Sequence, residues 1–260
     1  MGQLKNPTFK RAFDFLFALL LILLTLPLQI FIMVYLFIVF KKNPFFLQRR
    51  GLTLEKKLFR IIKYRTLDDN YLIQIVSNKD RDIFKKPLLR SRLNPYALWL
   101  RKTGLDELPQ LYNILFGNMS FVGPRPLMIS DLLILKKANA YNYEIRNQLD
   151  CKPGLTGLWQ LFGDRNRGSF NLVSLDTFYH NNQNFYLDIA LVLYSISRML
   201  QGRNSDAILM LRNNVEYVPN LILKILNIKV NFNEIIEKIN YNYLIEKGKQ
   251  SQVHESRRNA

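Results

Sequence analysis

Residues 12–40 read AFDFLFALLLILLTLPLQIFIMVYLFIVF, and this stretch decides how the rest of the chain must be arranged. It holds one charge, Asp14, in an otherwise almost wholly apolar run. A secretory signal has an apolar region of about 7 to 15 residues followed by small residues at a cleavage site. This run is longer and ends in Phe40-Lys41-Lys42, so it is expected to stay on the protein as a membrane segment. A straight helix over residues 15–40 would be about 39 Å long, against a hydrocarbon core of about 30 Å. On the residues alone two arrangements fit. One is a single tilted span, kinked at Pro27. The other is a re-entrant helix broken at Pro27, where a backbone donor is missing and the ring clashes with the preceding turn. Lys5, Lys10 and Arg11 precede the run, and Lys41, Lys42, Arg49 and Arg50 follow it. The positive-inside tendency would hold both basic flanks in the cytoplasm. Both arrangements leave the C-terminal bulk there. Asp14, three residues beyond Arg11, is expected to pair with it at the interface.

Outside this segment the composition is that of a folded protein. With 260 residues, 48% apolar and 22% charged, the chain is neither disordered nor collagen-like and has material for a core. Lys and Arg number 37 against 20 Asp and Glu, a formal charge of +17, which points to a polyanionic partner: nucleic acid, anionic lipid or a phosphorylated substrate. The single Cys151 excludes an intrachain disulfide and a cysteine-rich zinc site. His180 and His254 leave little for a histidine-built centre, so any metal should be hard and oxygen-bound. Residues 41–66 carry nine Lys and Arg against Glu55 alone and adjoin the membrane segment, which suits headgroups or phosphates. The interleaved Phe45, Phe46, Phe59 and Tyr64 would also suit nucleic acid, but the position beside the membrane favours lipid or diphosphate.

Residues 67–100 are mixed and helical in character, with a loop around 76–82. Pro109, Gly117, Gly123, Pro124, Pro126, Pro153, Gly154, Gly157 and Gly163 then punctuate short apolar runs, predicting short helices and loops folded around a site. Residues 184–200 read as a helix with Asp188 as its lone acid, and 247–260 as a polar end. The fold expected is mainly α with a few short strands. It has a membrane-embedded segment at 1–42, a catalytic body at 43–207 and an unassigned extension at 208–260.

Three runs could carry chemistry. Asp106-Glu107, in LRKTGLDELPQL, has an ordinary explanation as acids in the first turn of a helix, where they complement its dipole. Carboxylates can also hold Mg²⁺, and an Asp can attack phosphorus. Neighbours on a regular helix diverge by roughly 100°, so joint action on one phosphate needs a helix start or a bend. In Gly123-Pro124-Arg125-Pro126 flanking prolines fix one guanidinium, an arrangement suited to bidentate phosphate recognition. Lys152-Pro153-Gly154-Leu155-Thr156-Gly157 could form an anion-binding turn. Taken singly, each of the three is better explained as a structural feature.

Several runs in order carry a resemblance: Lys10-Arg11-Ala12-Phe13-Asp14, Pro44-Phe45-Phe46-Leu47-Gln48-Arg49, Lys63-Tyr64-Arg65-Thr66, Leu105-Asp106-Glu107-Leu108-Pro109-Gln110, Met119 through Pro126, and Pro153-Gly154-Leu155-Thr156-Gly157. Together they resemble the bacterial sugar transferases, the monotopic phosphoglycosyl transferases that act on polyprenyl phosphates. Leu175-Asp176 through Tyr179 and Tyr186-Leu187-Asp188 extend the likeness, which covers residues 10–207.

The resemblance implies a re-entrant helix broken near Pro27 and a catalytic body on the cytoplasmic face of a bacterial inner membrane or an organelle equivalent. It implies Asp106 as a nucleophile toward a UDP-sugar, Glu107 assisting with Mg²⁺ and protons, and polyprenyl phosphate of the undecaprenyl type as acceptor. The product would initiate lipid-linked polysaccharide synthesis, such as exopolysaccharide. Both substrates are anionic, so Lys63, Arg65, Arg101, Arg125 and Thr156 are the candidate phosphate ligands. Membrane lipids are expected partners and nucleic acid is not. The extra membrane-spanning domain of larger relatives is not expected.

This chain departs from the family's pattern at Arg90, Asn94 and Ala97, at Gly104 where a Ser or Thr is usual, and at Asn118 where an Asp is common. The alternative from another class is a membrane-anchored basic protein that binds nucleic acid or anionic lipid without catalysis.

Overall fold

The apolar run forms one long helix, α1 (Pro7–Phe40), with Pro27 in its interior. The computed structural model describes residues 7–67, 95–164, 167–201, 234 and 237. The extension expected at 208–260, except for residues 234 and 237, lies outside the described residues, as do Arg90 and Asn94. Near Pro27, polar side chains of α1 bond within the helix. Thr25 donates its hydroxyl to Leu21 O at 2.6 Å, and Gln29 Nε2 donates to Thr25 Oγ1 at 2.9 Å.

One stripe of α1 is buried: Asp14, Ala18, Ile22, Gln29, Ile32 and Leu36, spaced at the helical repeat. The other faces are exposed and apolar, with Leu23 60%, Leu24 68%, Phe31 62% and Ile38 66% exposed. Contiguous apolar exposure on this scale needs a nonaqueous surrounding.

The body is built against that stripe. Strands β1 (Phe45–Gly51) and β2 (Phe59–Tyr64) form an antiparallel hairpin with Leu47 opposite Ile62 and Arg49 opposite Arg60. Helix α2 (Pro95–Thr103) leads through a single 3₁₀ turn, Leu105–Glu107, into α3 (Gln110–Leu115). Strand β3 (Ser120–Val122) follows, then β4 (Leu127–Met128), which adds antiparallel to the free side of β1. Helices α4 (Ile129–Ala138) and α5 (Ala140–Asn147) come next. Strand β5 (Gly154–Thr156) pairs in parallel with β3. Helices α6 (Leu158–Phe162), α7 (Gly168–Asn182) and α8 (Phe185–Leu200) close the body. The helical body with short strands, and a helix over the run at 184–200, match the reading of the sequence.

Two apolar clusters organise the packing. The larger joins Ala18 and Ile22 of α1 to Ile114, Phe121, Leu132, Tyr143, Leu172, Leu175, Tyr179 and Leu191. The smaller joins Ile32 and Leu36 of α1 to Tyr64 and Leu100, with Leu105 and Leu108 packed on it. Each fully buried side chain of this kind contributes roughly 1.5–3 kcal/mol, so α1 is fastened to the body along most of its length.

The expected Arg11–Asp14 pair does not form. Arg11 instead donates to the carbonyls of Ile114 and Leu115, both at 2.7 Å, satisfying the open C-terminal end of α3. Asp14 is 2% exposed and accepts the Phe121 amide at 3.2 Å. Both groups are drawn into the body because the helix packs against it, whereas a pair on a free helix surface would have faced one another.

Candidate active site

The acidic pair lies where the backbone changes course. Gly104 has left-handed dihedrals, φ 72° and ψ 7°, a conformation costly for most other residues. That reversal ends α2 and starts the 3₁₀ turn holding Asp106 and Glu107. Leu105 and Leu108, three apart, both pack on the cluster formed with Ile32, Leu36, Tyr64 and Leu100, which leaves the two acids between them. Pro109, with φ −63°, suits the start of α3. The helix start that joint action demanded is therefore present.

Asp106 is 7% exposed. Glu107 accepts a charged hydrogen bond from Lys63 of β2 through Oε1, and the two side chains keep 22% and 19% of their surface exposed. Asn113 fixes β2 against α3 by donating to Arg60 O at 2.8 Å and accepting from Ile62 N at 3.0 Å. Lys63 is thus held opposite the turn by a side chain six residues beyond Glu107. Arg101, at the end of α2, has its Nη1 buried with no hydrogen-bond partner among the described residues. Such an orphaned cationic donor is costly unless an anion completes it. Arg65 donates Nε to Asn43 O at 3.0 Å, next to the end of α1.

Arg125 and Thr156 belong to a second cluster. The glycine runs at 123 and 154 cross at backbone contact: a Cβ on Gly123 would lie 2.2 Å from Lys152 O, and one on Gly154 would lie 2.1 Å from Gly123 N. Glycine is needed at this crossing because nothing larger fits. The Arg125 guanidinium lies 5.0 Å from the Trp159 ring centroid. Its backbone is clamped on both sides, since Arg125 N donates to Asp176 Oδ1 at 3.4 Å and Arg125 O accepts from Arg146 Nη2. Arg146 and Asp176 form an ion pair, 0% and 1% exposed, and Arg146 Nε also donates to Leu52 O at 2.8 Å. Burial pushes the Asp176 carboxyl up to about 6, with Arg146 and the Arg125 amide opposing the rise.

Thr156 Oγ1 lies 2.6 Å from Ser195 Oγ, and Ser195 donates to Leu191 O at 2.8 Å, so the Thr156 hydroxyl donates into α8. Tyr179 OH meets Val122 O at 3.0 Å and Asp188 Oδ1 at 2.7 Å, while Lys10 pairs with the same Asp188. Burial raises the Asp188 carboxyl above the ordinary range, against the pull of Lys10. Asp176, Tyr179 and Asp188 thus brace the Arg125 loop and the start of α1. Arg146 and Trp159 are additional supports that the sequence reading missed. Only Trp159, two residues after the Gly154–Gly157 run, carried a positional hint.

Among the described residues no group of three or more His, Cys, Asp or Glu is placed to hold a metal. Asp106 and Glu107 could contribute at most two carboxylates. That number fits a hard cation such as Mg²⁺, whose coordination is normally completed by waters and substrate phosphate oxygens.

An acidic turn with cations beside it is thus fastened to a helix long and apolar enough to cross a membrane. The profile of the family described as bacterial sugar transferase matches residues 5–202, and the chain belongs to that family. It is 34% identical over 151 residues to the galactosyl transferase CpsE of Streptococcus agalactiae, covering 56% of this chain and 32% of that protein. It is 30% identical over 207 residues to an undecaprenyl-phosphate galactose phosphotransferase of Salmonella typhimurium, covering 75% and 41%. It is 32% identical over 204 residues to the exopolysaccharide production protein ExoY of Rhizobium meliloti, covering 75% and 87%. The matches thus span less than half of the first two relatives and most of ExoY. Neither the fold nor these likenesses support the non-catalytic alternative.

Proposed function

We propose that the protein transfers a sugar 1-phosphate from a UDP-sugar to a polyprenyl phosphate of the undecaprenyl type, at the cytoplasmic face of a membrane. The observation that carries this reading is the Asp106-Glu107 turn, held by Lys63 on one side and packed on the membrane helix on the other. A lipid phosphate and a soluble nucleotide sugar can meet only at such a boundary.

In the first step a carboxylate oxygen of Asp106 attacks the sugar-bearing phosphorus. The bond from that phosphorus to the bridging oxygen breaks, and UMP leaves. In the second step a phosphate oxygen of the lipid attacks the same phosphorus. The bond to Asp106 breaks, releasing polyprenyl-diphosphate sugar and regenerating the carboxylate. Glu107 orients the lipid phosphate and accepts its proton when it arrives protonated, while Lys63, Arg65, Arg101 and Arg125 balance the charge of the diphosphate. Thr156 sets the shape of the Arg125 loop. Mg²⁺ held by Asp106 and Glu107 would neutralise phosphate oxygens during departure of the nucleotide.

The membrane helix is read as re-entrant, with Pro27 at its bend and both basic flanks on one side. Buried contacts run from Asp14 to Leu36, about 33 Å of helix. A helix crossing the bilayer would draw the elements packed on its second half, including the Asp106 turn, into hydrocarbon. Tags at the two ends of the protein should therefore respond alike to protease in oriented vesicles, and opposite responses refute this topology.

The chemistry is tested by rapid quenching with a UDP-sugar labelled in its sugar. Label should appear on the polypeptide before lipid is added and leave when lipid is supplied. Asp106→Asn should release no UMP, with membrane binding retained. Turnover in that variant ends the nucleophile assignment.

A further inference from the structure

At the far end of α3 from the acidic turn, two cations converge. The position where a Gly117 side chain would begin lies 3.3 Å from the guanidinium carbon of Arg11 and 3.4 Å from Lys152 Nζ. Arg11 gives one donor each to Ile114 O and Leu115 O, and a guanidinium has five N–H donors, so capacity remains. Lys152 makes no hydrogen bond or ion pair with any described residue. Lys152 is exposed, but partial desolvation, then repulsion from Arg11, holds its ammonium below the ordinary lysine range; Asp14 opposes this and Lys57 adds to it.

The nearby acids are committed elsewhere. Asp14 accepts the Phe121 amide, and Asp188 takes Lys10 and Tyr179. Residue 118, where the family pattern carries an Asp, is Asn118. The chain therefore gathers two cations near one acid, Asp14, which makes no direct ion pair with either.

The surroundings indicate what supplies the missing charge. Arg11 lies 5.7 Å from the Phe15 ring centroid. Phe15 is 41% exposed and Phe116, beside Gly117, is 71% exposed. A cation pair rimmed by exposed aromatics at the start of a membrane helix matches a lipid phosphate with its acyl chains below. Asp106 and Gly117 stand eleven residues apart across α3, about 16 Å at helical rise, so this place is separate from the acidic turn.

We propose that Arg11 and Lys152 bind the phosphate of an anionic phospholipid headgroup, with Phe15 and Phe116 against its acyl chains. This site holds whether or not Asp106 is the nucleophile. Free phosphate shares the headgroup's chemistry, but the aromatic rim serves only a lipid.

The test titrates full-length protein in neutral detergent micelles with phosphatidylglycerol or phosphatidylcholine and counts retained lipid by native mass spectrometry. The wild type should retain phosphatidylglycerol preferentially. Lys152→Ala and Asn118→Asp, which remove a cation or supply an internal anion, should each weaken that retention about fivefold, the effect of about one charge at a membrane surface. Lys137→Ala, an exposed control on α4, should not. If both site variants stay within about twofold of the control, the site is refuted. If millimolar inorganic phosphate abolishes the preference in the wild type, the assignment to a lipid is refuted. Asn118→Asp deletes no contact made by Lys152, so misfolding does not excuse a negative result.

Discussion

The two ion pairs flanking the proposed centre have the same chemistry and opposite circumstances. Arg146 and Asp176 are sealed, at 0% and 1% exposure, whereas Lys63 and Glu107 each keep about a fifth of their surface open, at 19% and 22%. A sealed pair cannot exchange partners with a substrate, and its charges stay buried through every step. A partly open pair can release its lysine to an incoming phosphate and recover it afterwards. The difference teaches which charges hold the scaffold and which are available to the reaction.

The strongest way to break this comparison is Arg146→Met. It leaves Asp176 buried without its partner and strips donors from Leu52 O and Arg125 O. Loss of one member of a buried pair costs about 3–5 kcal/mol, so denaturant unfolding in micelles should show a shift of that size. A shift below about 1 kcal/mol would mean that the pair is not a clamp. Glu107→Gln should behave in the opposite way. Stability should change by no more than about 1 kcal/mol, while turnover drops about 10²- to 10⁴-fold. Comparable losses of stability in the two variants would erase the distinction between the pairs.

These pairs also mark how far the sequence could be read. The apolar run, the acids at 106 and 107 and the glycine runs are local patterns, and they announce their roles through spacing. The nine cations in residues 41–66 looked like one basic surface, but the hairpin puts Arg49 and Arg60 on one face and Arg50 and Lys63 on the other, where Lys63 meets Glu107 and Arg50 donates to Pro126 O. Period-two alternation was masked by the charges themselves. Arg146 sits in AYNYEIRN, which reads as a solvent-facing helix; its burial depends on strands and loops up to 94 residues away in sequence. Likewise Arg11 and Asp14 have ideal spacing for each other, and tertiary packing gives both to other partners.

A smaller effect appears on the pH axis. The Asp176 carboxyl rises from an ordinary 3.8 to about 6 because it is buried. Between those values the native state binds a proton that the unfolded chain does not. This group's contribution to stability is therefore complete below about 3.8 and is lost as pH rises through about 6. Mild acid will not unfold the protein through Asp176, but it removes the charge facing Arg146 and weakens the acceptor for the Arg125 amide. Activity should fall as pH drops through about 6 without a matching fall in the thermal midpoint. Asp176→Asn should lack that inflection. Glu55, held down to about 2 chiefly by its bond from Lys136, loses its contribution only between about 4.5 and 2, below this window.

The smallest effect separates a brace from a substrate ligand at Thr156. Ser195 relays the Thr156 hydroxyl to Leu191 O, so Ser195→Ala deletes one hydrogen-bonded link between β5 and α8. A lost neutral hydrogen bond costs about 1 kcal/mol, and the unfolding midpoint should move accordingly. The same substitution frees the Thr156 hydroxyl to turn toward the Arg125 loop. If Thr156 only shapes that loop, KM for the UDP-sugar stays at its wild-type value while stability falls. If the hydroxyl donates to substrate phosphate, releasing it from Ser195 lowers KM, and Thr156→Val raises it in either background. Because the Arg125 loop is held by Asp176, by Arg146 and by the Thr156 carbonyl on Gly123 N, and not by the Thr156 hydroxyl, a change in KM with Ser195→Ala would assign phosphate contact to the hydroxyl itself.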